Sequence, residues 1–132
     1  MPSIFTKIIN GEIPSYKILE DDNFIAFLDI NPNTIGHTLC IPKKEIDKIF
    51  DLDDECFQGL MAFTKPLAIA IKQAVSCQRV GMIVAGYEIP HAHVHLVPTD
   101  SMTDLSFSQA RSVTNDQLAV VAKKIRKQLI TR

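Results

Sequence analysis

Three histidines alternate with apolar residues in the string HAHVHLVP. His91, His93 and His95 are separated by the single residues Ala92 and Val94. In an extended strand, side chains at positions i, i+2 and i+4 share one face and lie about 7 Å apart at Cα. The spacing therefore predicts three imidazoles side by side on a strand. The chain has only 4 histidines in 132 residues, so this clustering indicates a site.

A row of imidazoles can do two kinds of chemistry. A neutral imidazole attacks phosphorus near neutral pH and divides one difficult displacement into two easier ones. Imidazole is also a common zinc ligand, although Glu88 and Asp100 are the only nearby carboxylates and neither has a defining offset. A third interpretation is that the three histidines are ordinary surface residues on an exposed face of the sheet. The residues favour phosphate chemistry and leave the metal site open.

The charge balance limits the partners. Lys and Arg number 14 against 15 Asp and Glu, which gives a net charge of -1. Such a chain has no basic field for nucleic acid or a membrane surface, so a phosphate ligand would have to be bound locally. The N-terminal segment lacks the apolar stretch of a signal peptide, and the apolar runs LAIAI and LAVVA are too short to cross a membrane. We expect no nucleic-acid or membrane partner.

The cysteines point to a reducing compartment. Cys40, Cys56 and Cys77 are odd in number and widely spaced, with no C-x-x-C pair. This pattern argues against a disulfide framework and against a zinc ribbon. A cytoplasmic protein is the expectation.

The elements that position the histidines are predicted as an α+β fold of one domain, residues 1–132. Asp53 is a predicted N-cap for a main helix, which Pro66 is expected to kink or split. Thr114 and Gln117 form a possible capping box for a C-terminal helix at about 114–130. About five antiparallel strands are predicted from the β-rich segments YKILED, NFIAFLDI, HTLCIPK, RVGMIVAG and HAHVHLVP.

The string HAHVHLVP fits the pattern His-φ-His-φ-His-φ-φ, where φ is apolar, that names the histidine triad (HIT) family of nucleotide hydrolases and transferases. The segment SIFTKIINGEIPSYKILEDDNFIAFLDINPNTIGHTLCIPKK also resembles the N-terminal half of that family. The short loop before the triad resembles a bacterial branch. The resemblance implies a HIT-like fold and a homodimer. It also implies a purine nucleotide substrate, cleaved at the α-phosphate through a nucleotidyl-histidine; phosphoramidates, dinucleoside polyphosphates and acyl-adenylates are the substrate types.

The resemblance also implies a role for each matching residue. His93 corresponds to the nucleophile, His91 and His95 to the flanking residues that orient it and contact phosphate, and His37 to a fourth histidine that completes the relay. Asp29 matches the carboxylate that accepts hydrogen bonds from the ribose hydroxyls, a role suited to a pure acceptor. The positions that match the apolar slot for the purine ring are Phe5, Ile8, Phe27 and Ile30.

The loop before the triad departs from the family pattern. Gly86 matches a nucleotide-binding glycine, whereas Tyr87 and Glu88 stand where most members have Gln and Ser. Glu88 could act as a general acid or repel a polyphosphate tail, so the leaving group stays open. Ser3 and Thr6 replace the C-x-x-C through which some relatives hold zinc, so no structural zinc and no obligatory cofactor are expected. The alternative functions are a nucleotide-binding regulatory module without turnover and a metal-dependent hydrolase with the triad as ligands.

Overall fold

A computed structural model describes residues 2–130 of the chain. Its helices and strands, in chain order, are α1 (Ile4–Ile9), β1 (Lys17–Glu20), β2 (Phe24–Leu28), β3 (Thr38–Pro42), α2 (Asp54–Ala74), β4 (Arg79–Ile83), β5 (Val94–Thr99) and α3 (Asn115–Ile130). Single turns of 3-10 helix occupy Ile49–Asp51, Met102–Leu105 and Phe107–Gln109. Within the described residues, no helix combines the length and the apolar character needed to cross a membrane.

The strands form one five-stranded antiparallel sheet in the order β1-β2-β3-β5-β4. This arrangement confirms the predicted α+β fold. Strands β3 and β5 are adjacent, with Thr38 opposite Leu96 and Leu39 opposite His95. His37 immediately precedes β3, and His95, the last histidine of the triad, lies in β5. The pairing of these two strands therefore brings His37 and His95 together.

Both faces of the sheet are covered. Helices α2 and α3 pack on one face, where Leu60, Leu67 and Ile71 join the inward side chains of β2 and β5. Helix α1 contributes Phe5 to a smaller cluster on the other face, together with Phe27 and other strand residues. Burial on both faces explains why β2 is a continuous apolar run rather than an alternating one.

Pro66 does not split the main helix, contrary to one of the outcomes expected from the sequence. Helix α2 runs without interruption from Asp54 to Ala74, with Pro66 inside it. Leu67, Ala70 and Ile71 follow the proline and are fully buried, so packing against the sheet holds the segment in place. The predicted N-cap is present, because the Asp53 side chain accepts the backbone N–H of Cys56 at 2.8 Å.

Gly36 places His37 through a backbone conformation that other residues rarely adopt. Its φ is +99°, and a Cβ there would lie 2.9 Å from Cγ2 of Val75 and 3.2 Å from Cγ of Pro98. Gly36→Ala is therefore expected to lower the free energy of unfolding by about 2–3 kcal/mol, the sum of backbone strain and overpacking. Urea unfolding measures the change.

Gly86→Ala is the matched control for that experiment. Gly86 has a similar φ of +90°, but a Cβ there would meet none of the described atoms within 4 Å. Only the backbone cost of about 1 kcal/mol is expected. Equal losses in the two variants would contradict a role for the Val75 contact.

Candidate active site

A cavity of about 330 Å³ lies on the face of the sheet that α1 covers. This volume is at the lower end of the range for small-molecule sites. The residues predicted from the sequence that line it are Phe5, Ile8, Phe27, Asp29, Ile30, Glu88, His93 and His95. Other apolar side chains, including Leu39 and Ile89, complete its wall. The cavity is thus mostly apolar, with imidazoles and carboxylates at one side.

The ring of His93 is held in one tautomer. Its Nδ1 lies 2.7 Å from the backbone oxygen of His91. A carbonyl oxygen only accepts, so Nδ1 carries the proton and the neutral ring has its lone pair on Nε2. Edge contacts with Phe5 at 5.1 Å and His95 at 4.8 Å between ring centroids fix the orientation of the ring. Among the described residues, Nε2 has no hydrogen-bond partner, so this nitrogen is free to react.

His95 is oriented by a directed chain of hydrogen bonds. The backbone N–H of Asn33 donates to Nδ1 of His37 at 3.0 Å, and Nε2 of His37 lies 2.9 Å from Nδ1 of His95. Because an amide N–H cannot accept, His37 carries its proton on Nε2 and donates it to His95. A neutral His95 has one ring proton, and because its Nδ1 accepts from His37, that proton is on Nε2. There it can be donated to a phosphoryl oxygen.

Both rings of this chain are kept neutral. Burial lowers the pKa of His37 to about 4. Burial, reinforced by the neighbouring histidines, lowers the pKa of His95 to about 3. At neutral pH the chain from Asn33 to His95 therefore contains no charged imidazole, and the tautomers derived above persist.

Only His95 of the three triad histidines lies within a strand, so the prediction that all three share one strand is wrong. Strand β5 begins at Val94, and the backbone before it bonds elsewhere: the N–H of Ala92 donates to the oxygen of Ile46 at 2.7 Å. The His91 ring is fully buried and does not line the cavity. Its Nε2 donates to the oxygen of Pro42 at 2.7 Å, and its Nδ1 lies 2.8 Å from Oγ of Ser3.

Asp29 lies at the edge of the cavity, immediately after β2. Its Oδ1 accepts the N–H of Asn31 at 2.9 Å, and its Oδ2 is 3.7 Å from Nε2 of His37. Burial raises the pKa of the Asp29 carboxyl, the Asn31 hydrogen bond opposes that shift, and the charge of Glu88 adds to it. The carboxylate keeps free acceptor positions for a ligand that enters the cavity.

Three of the residues singled out from the sequence lie away from the cavity wall. His37 acts only through His95, and His91 lies behind Phe5. Gly86 does not line the cavity, and a Cβ there would meet none of the described atoms within 4 Å. Ile30 lines the cavity but is 59 % exposed, which places it at the rim rather than in a closed slot.

Phe107 was not predicted from the sequence as a site residue, and it stands in a turn of 3-10 helix after β5. Its ring lies 4.7 Å from the ring of His95 and 6.5 Å from that of His37, centroid to centroid, and it lines the cavity. A hydrogen bond of 3.1 Å from Nδ2 of Asn33 to the oxygen of Asp104 ties this segment to the site. A single aromatic residue in the polar stretch TDSMTDLSFSQ was the only signal available.

One cluster has the composition of a metal site. Asp29, His37 and His95 can each offer one ligand atom, and these atoms lie within 4.8 Å of one another. His37 does not fit this role, because its Nδ1 already accepts the Asn33 N–H and its Nε2 therefore holds a proton instead of a lone pair. His37 and His95 belong instead to the hydrogen-bond chain that starts at Asn33, and Asp29 lies beside it with its Oδ2 3.7 Å from Nε2 of His37.

Sequence comparison places the chain among HIT-like proteins. The model of the HIT domain matches residues 10–102. The chain is 42% identical over 102 residues to an uncharacterized HIT-like protein of Borreliella burgdorferi, covering 72% of this chain and 73% of that one. It is also 42% identical over 96 residues to adenosine 5′-monophosphoramidase HNT1 of Saccharomyces cerevisiae, covering 72% and 61% of the two chains.

Comparison with solved structures also finds HIT-like proteins. The crystal structure of a HIT-like protein from Bartonella henselae superposes with a TM-score of 0.85 at 32% identity, over 96% of this chain and 95% of that one. The chain belongs to the histidine triad (HIT) family.

Proposed function

We propose that the protein is a purine nucleotide hydrolase or nucleotidyl transferase that acts at the α-phosphate through a nucleotidyl-His93 intermediate. The observation that carries this proposal is the 2.7 Å hydrogen bond between Nδ1 of His93 and the oxygen of His91, which leaves the Nε2 lone pair free beside the cavity. The similarity to a named adenosine 5′-monophosphoramidase supports the choice of substrate.

The reaction has two displacements. In the first, Nε2 of His93 forms a bond to the α-phosphorus, and the bond from phosphorus to the leaving group breaks; the leaving group takes the electron pair and a proton from water. In the second, a water oxygen bonds to phosphorus and its proton passes to the hydroxide left by the first step, while the bond from phosphorus to Nε2 breaks with its electron pair returning to Nε2 and the monophosphate is released. Nε2–H of His95 donates to a phosphoryl oxygen as negative charge develops there.

The cavity fits the two other parts of a nucleotide. Phe5, Ile8 and Phe27 offer apolar and aromatic surface to a purine ring, with Ile30 at the rim. Asp29 offers acceptor oxygens to the ribose hydroxyls. Glu88 lines the same cavity, where its carboxylate disfavours a long polyphosphate tail. A small leaving group, such as an amine, suits this site better than a polyphosphate.

The proposal is tested with adenosine 5′-phosphoramidate as substrate. We expect release of AMP, and an adduct of one adenylyl group on the intact protein after rapid acid quench, measured by mass spectrometry. Binding of AMP without adduct or turnover would instead favour the regulatory module. Turnover abolished by a chelator and restored by zinc would favour the metal-dependent hydrolase.

The proposal also covers the cofactor requirement, the oligomeric state and the cellular location of the enzyme. It needs no obligatory cofactor, because imidazoles supply both the nucleophile and a donor. A homodimer through α2 and the sheet edge is supported by the exposed apolar side chains Ile69, Met82 and Val84. A cytoplasmic location is supported by three free cysteines, of which Cys40 is buried.

Asp29→Asn tests the ribose contact. The amide keeps an oxygen for the Asn31 N–H but loses the charge, so the Kd for AMP is expected to rise about tenfold, which is 1.4 kcal/mol. Titration calorimetry measures both proteins against AMP and against its 2′,3′-dideoxy analogue. Because that analogue has no ribose hydroxyls, the two proteins should bind it equally. A tenfold loss for the analogue as well would contradict the contact.

A further inference from the structure

A second hydrogen-bonded cluster lies behind the triad, on the side away from the cavity. We call it the Ser3 cluster; its members are Ser3, Thr6, Glu45 and the ring of His91. Ser3 precedes α1 and is 6 % exposed, and its Oγ lies 2.8 Å from Nδ1 of His91, which is 0 % exposed. These two residues are 88 positions apart in the chain. The cluster therefore ties the N-terminal segment to the start of the triad.

Glu45 holds this end of the cluster together. Its Oε1 accepts both the backbone N–H of Ser3 and the hydroxyl of Thr6, the latter at 2.6 Å. The Ser3 N–H is the main cause that lowers the pKa of Glu45 to about 2, so the carboxylate is ionised at neutral pH. Ser3 Oγ in turn accepts the N–H of Thr6 at 3.1 Å as the N-cap of α1.

The directions of these bonds are determined. Nε2 of His91 donates to the Pro42 oxygen, and burial lowers the pKa of the ring, so neutral His91 has a lone pair on Nδ1. The Ser3 hydroxyl must donate to it. The ring is thereby fixed at both nitrogens. The backbone oxygen of His91 accepts Nδ1–H of His93, so the position of His91 determines how the His93 ring is oriented.

We propose that Ser3 and Glu45 are positioning residues for His93: Glu45 holds Ser3, Ser3 pins the His91 ring, and the His91 carbonyl keeps His93 in the Nδ1–H tautomer with its Nε2 lone pair available. His91 acts as a link in this arrangement and does not contact the ligand. The catalytic consequence rests on the proposed function, whereas the tautomer of His93 does not.

Ser3→Gly is the main test. Glycine is well tolerated as an N-cap, so the variant removes the hydroxyl with little loss of helix stability. The single-turnover rate of His93 adenylylation is expected to fall about tenfold while the Kd for AMP is unchanged. Ser3→Thr keeps a hydroxyl and should restore most of the rate. Glu45→Ala should also lower the rate of His93 adenylylation, as Ser3→Gly does.

Thr114→Gly is the matched control, because it removes another N-cap hydroxyl, at the start of α3, whose hydrogen bond within the described residues is to the Gln117 N–H. The rate of adenylylation should not change in this variant. A rate in Ser3→Gly equal to that of the unaltered protein would overturn the positioning role. So would an equal fall of the rate in Thr114→Gly, since that would reflect general loss of stability.

A readout without turnover separates this proposal from the proposed function. Long-range ¹H–¹⁵N spectra at pH 7 report which imidazole nitrogen is protonated. The unaltered protein should show His93 protonated at Nδ1, and Ser3→Gly should show a new population protonated at Nε2. A His93 tautomer that does not respond to Ser3→Gly would overturn the inference. Absence of any adenylyl adduct on the unaltered protein would overturn the proposed function alone, and the spectra would still decide the positioning role.

Discussion

His93→Ala is expected to abolish the nucleotidyl-enzyme and to lower turnover of adenosine 5′-phosphoramidate by about 10⁴-fold or more. The variant removes the one nitrogen, among the described residues, that borders the cavity with a lone pair fixed by the His91 carbonyl. Loss of a covalent nucleophile costs rates on this scale because neighbouring groups cannot replace the bond it forms. Intact-protein mass spectrometry and AMP release measure the two effects.

His95→Gln is the comparison that makes this result specific. It removes an imidazole from the same cavity but leaves the nucleophile, so the adduct should still form, about 10²-fold more slowly, as expected when one donor to the developing charge is lost. Urea unfolding of both variants checks that each is folded. Turnover that survives His93→Ala, or an adduct equally absent from both variants, would contradict the assignment of His93 as nucleophile.

The fold was predictable because its elements carry local signals. The β-branched and aromatic run in β2 and the helical spacing in α2 each match one element of the structure. Capping was visible too: Asp53 caps α2, and Thr114 and Gln117 exchange hydrogen bonds at the start of α3. Each of these signals involves residues within a few positions of one another, which is the range that propensity and periodicity can report.

The geometry of the site was less predictable because it depends on distant contacts. Alternation along HAHVHLVP assumes that the whole string is a strand, whereas pairing with β3 begins only at Val94, opposite Cys40. The bond from Ser3 to His91 and the packing of Phe107 on His95 join segments with no pattern in common. The family resemblance singled out the four histidines, but the hydrogen-bond partner of each ring follows only from the tertiary structure.

The buried histidines should make the protein lose stability as the pH falls. Burial holds the pKa of His37 at about 4 against an ordinary value of 6.5, so between these values the unfolded chain binds a proton that the folded chain does not. Stability therefore falls with decreasing pH in this window, and the loss stops growing below the folded pKa. His37 alone should remove about 2 kcal/mol of unfolding free energy between pH 7 and pH 5.

His37→Gln isolates this contribution. The amide offers an acceptor to the Asn33 N–H and a donor to Nδ1 of His95, so the two hydrogen bonds of His37 can be kept without a titrating group. Urea unfolding at pH 7, 6 and 5 should show a smaller loss in the variant, by about 2 kcal/mol over the range, with the remaining loss due to His95 and His91, whose pKa values burial also lowers. Parallel pH profiles for the two proteins would mean that folding leaves the pKa of His37 near its ordinary value, which would contradict the lowering by burial. Folded His37 would then gain a proton between pH 7 and pH 5, and its Nδ1 would no longer accept the Asn33 N–H in that range.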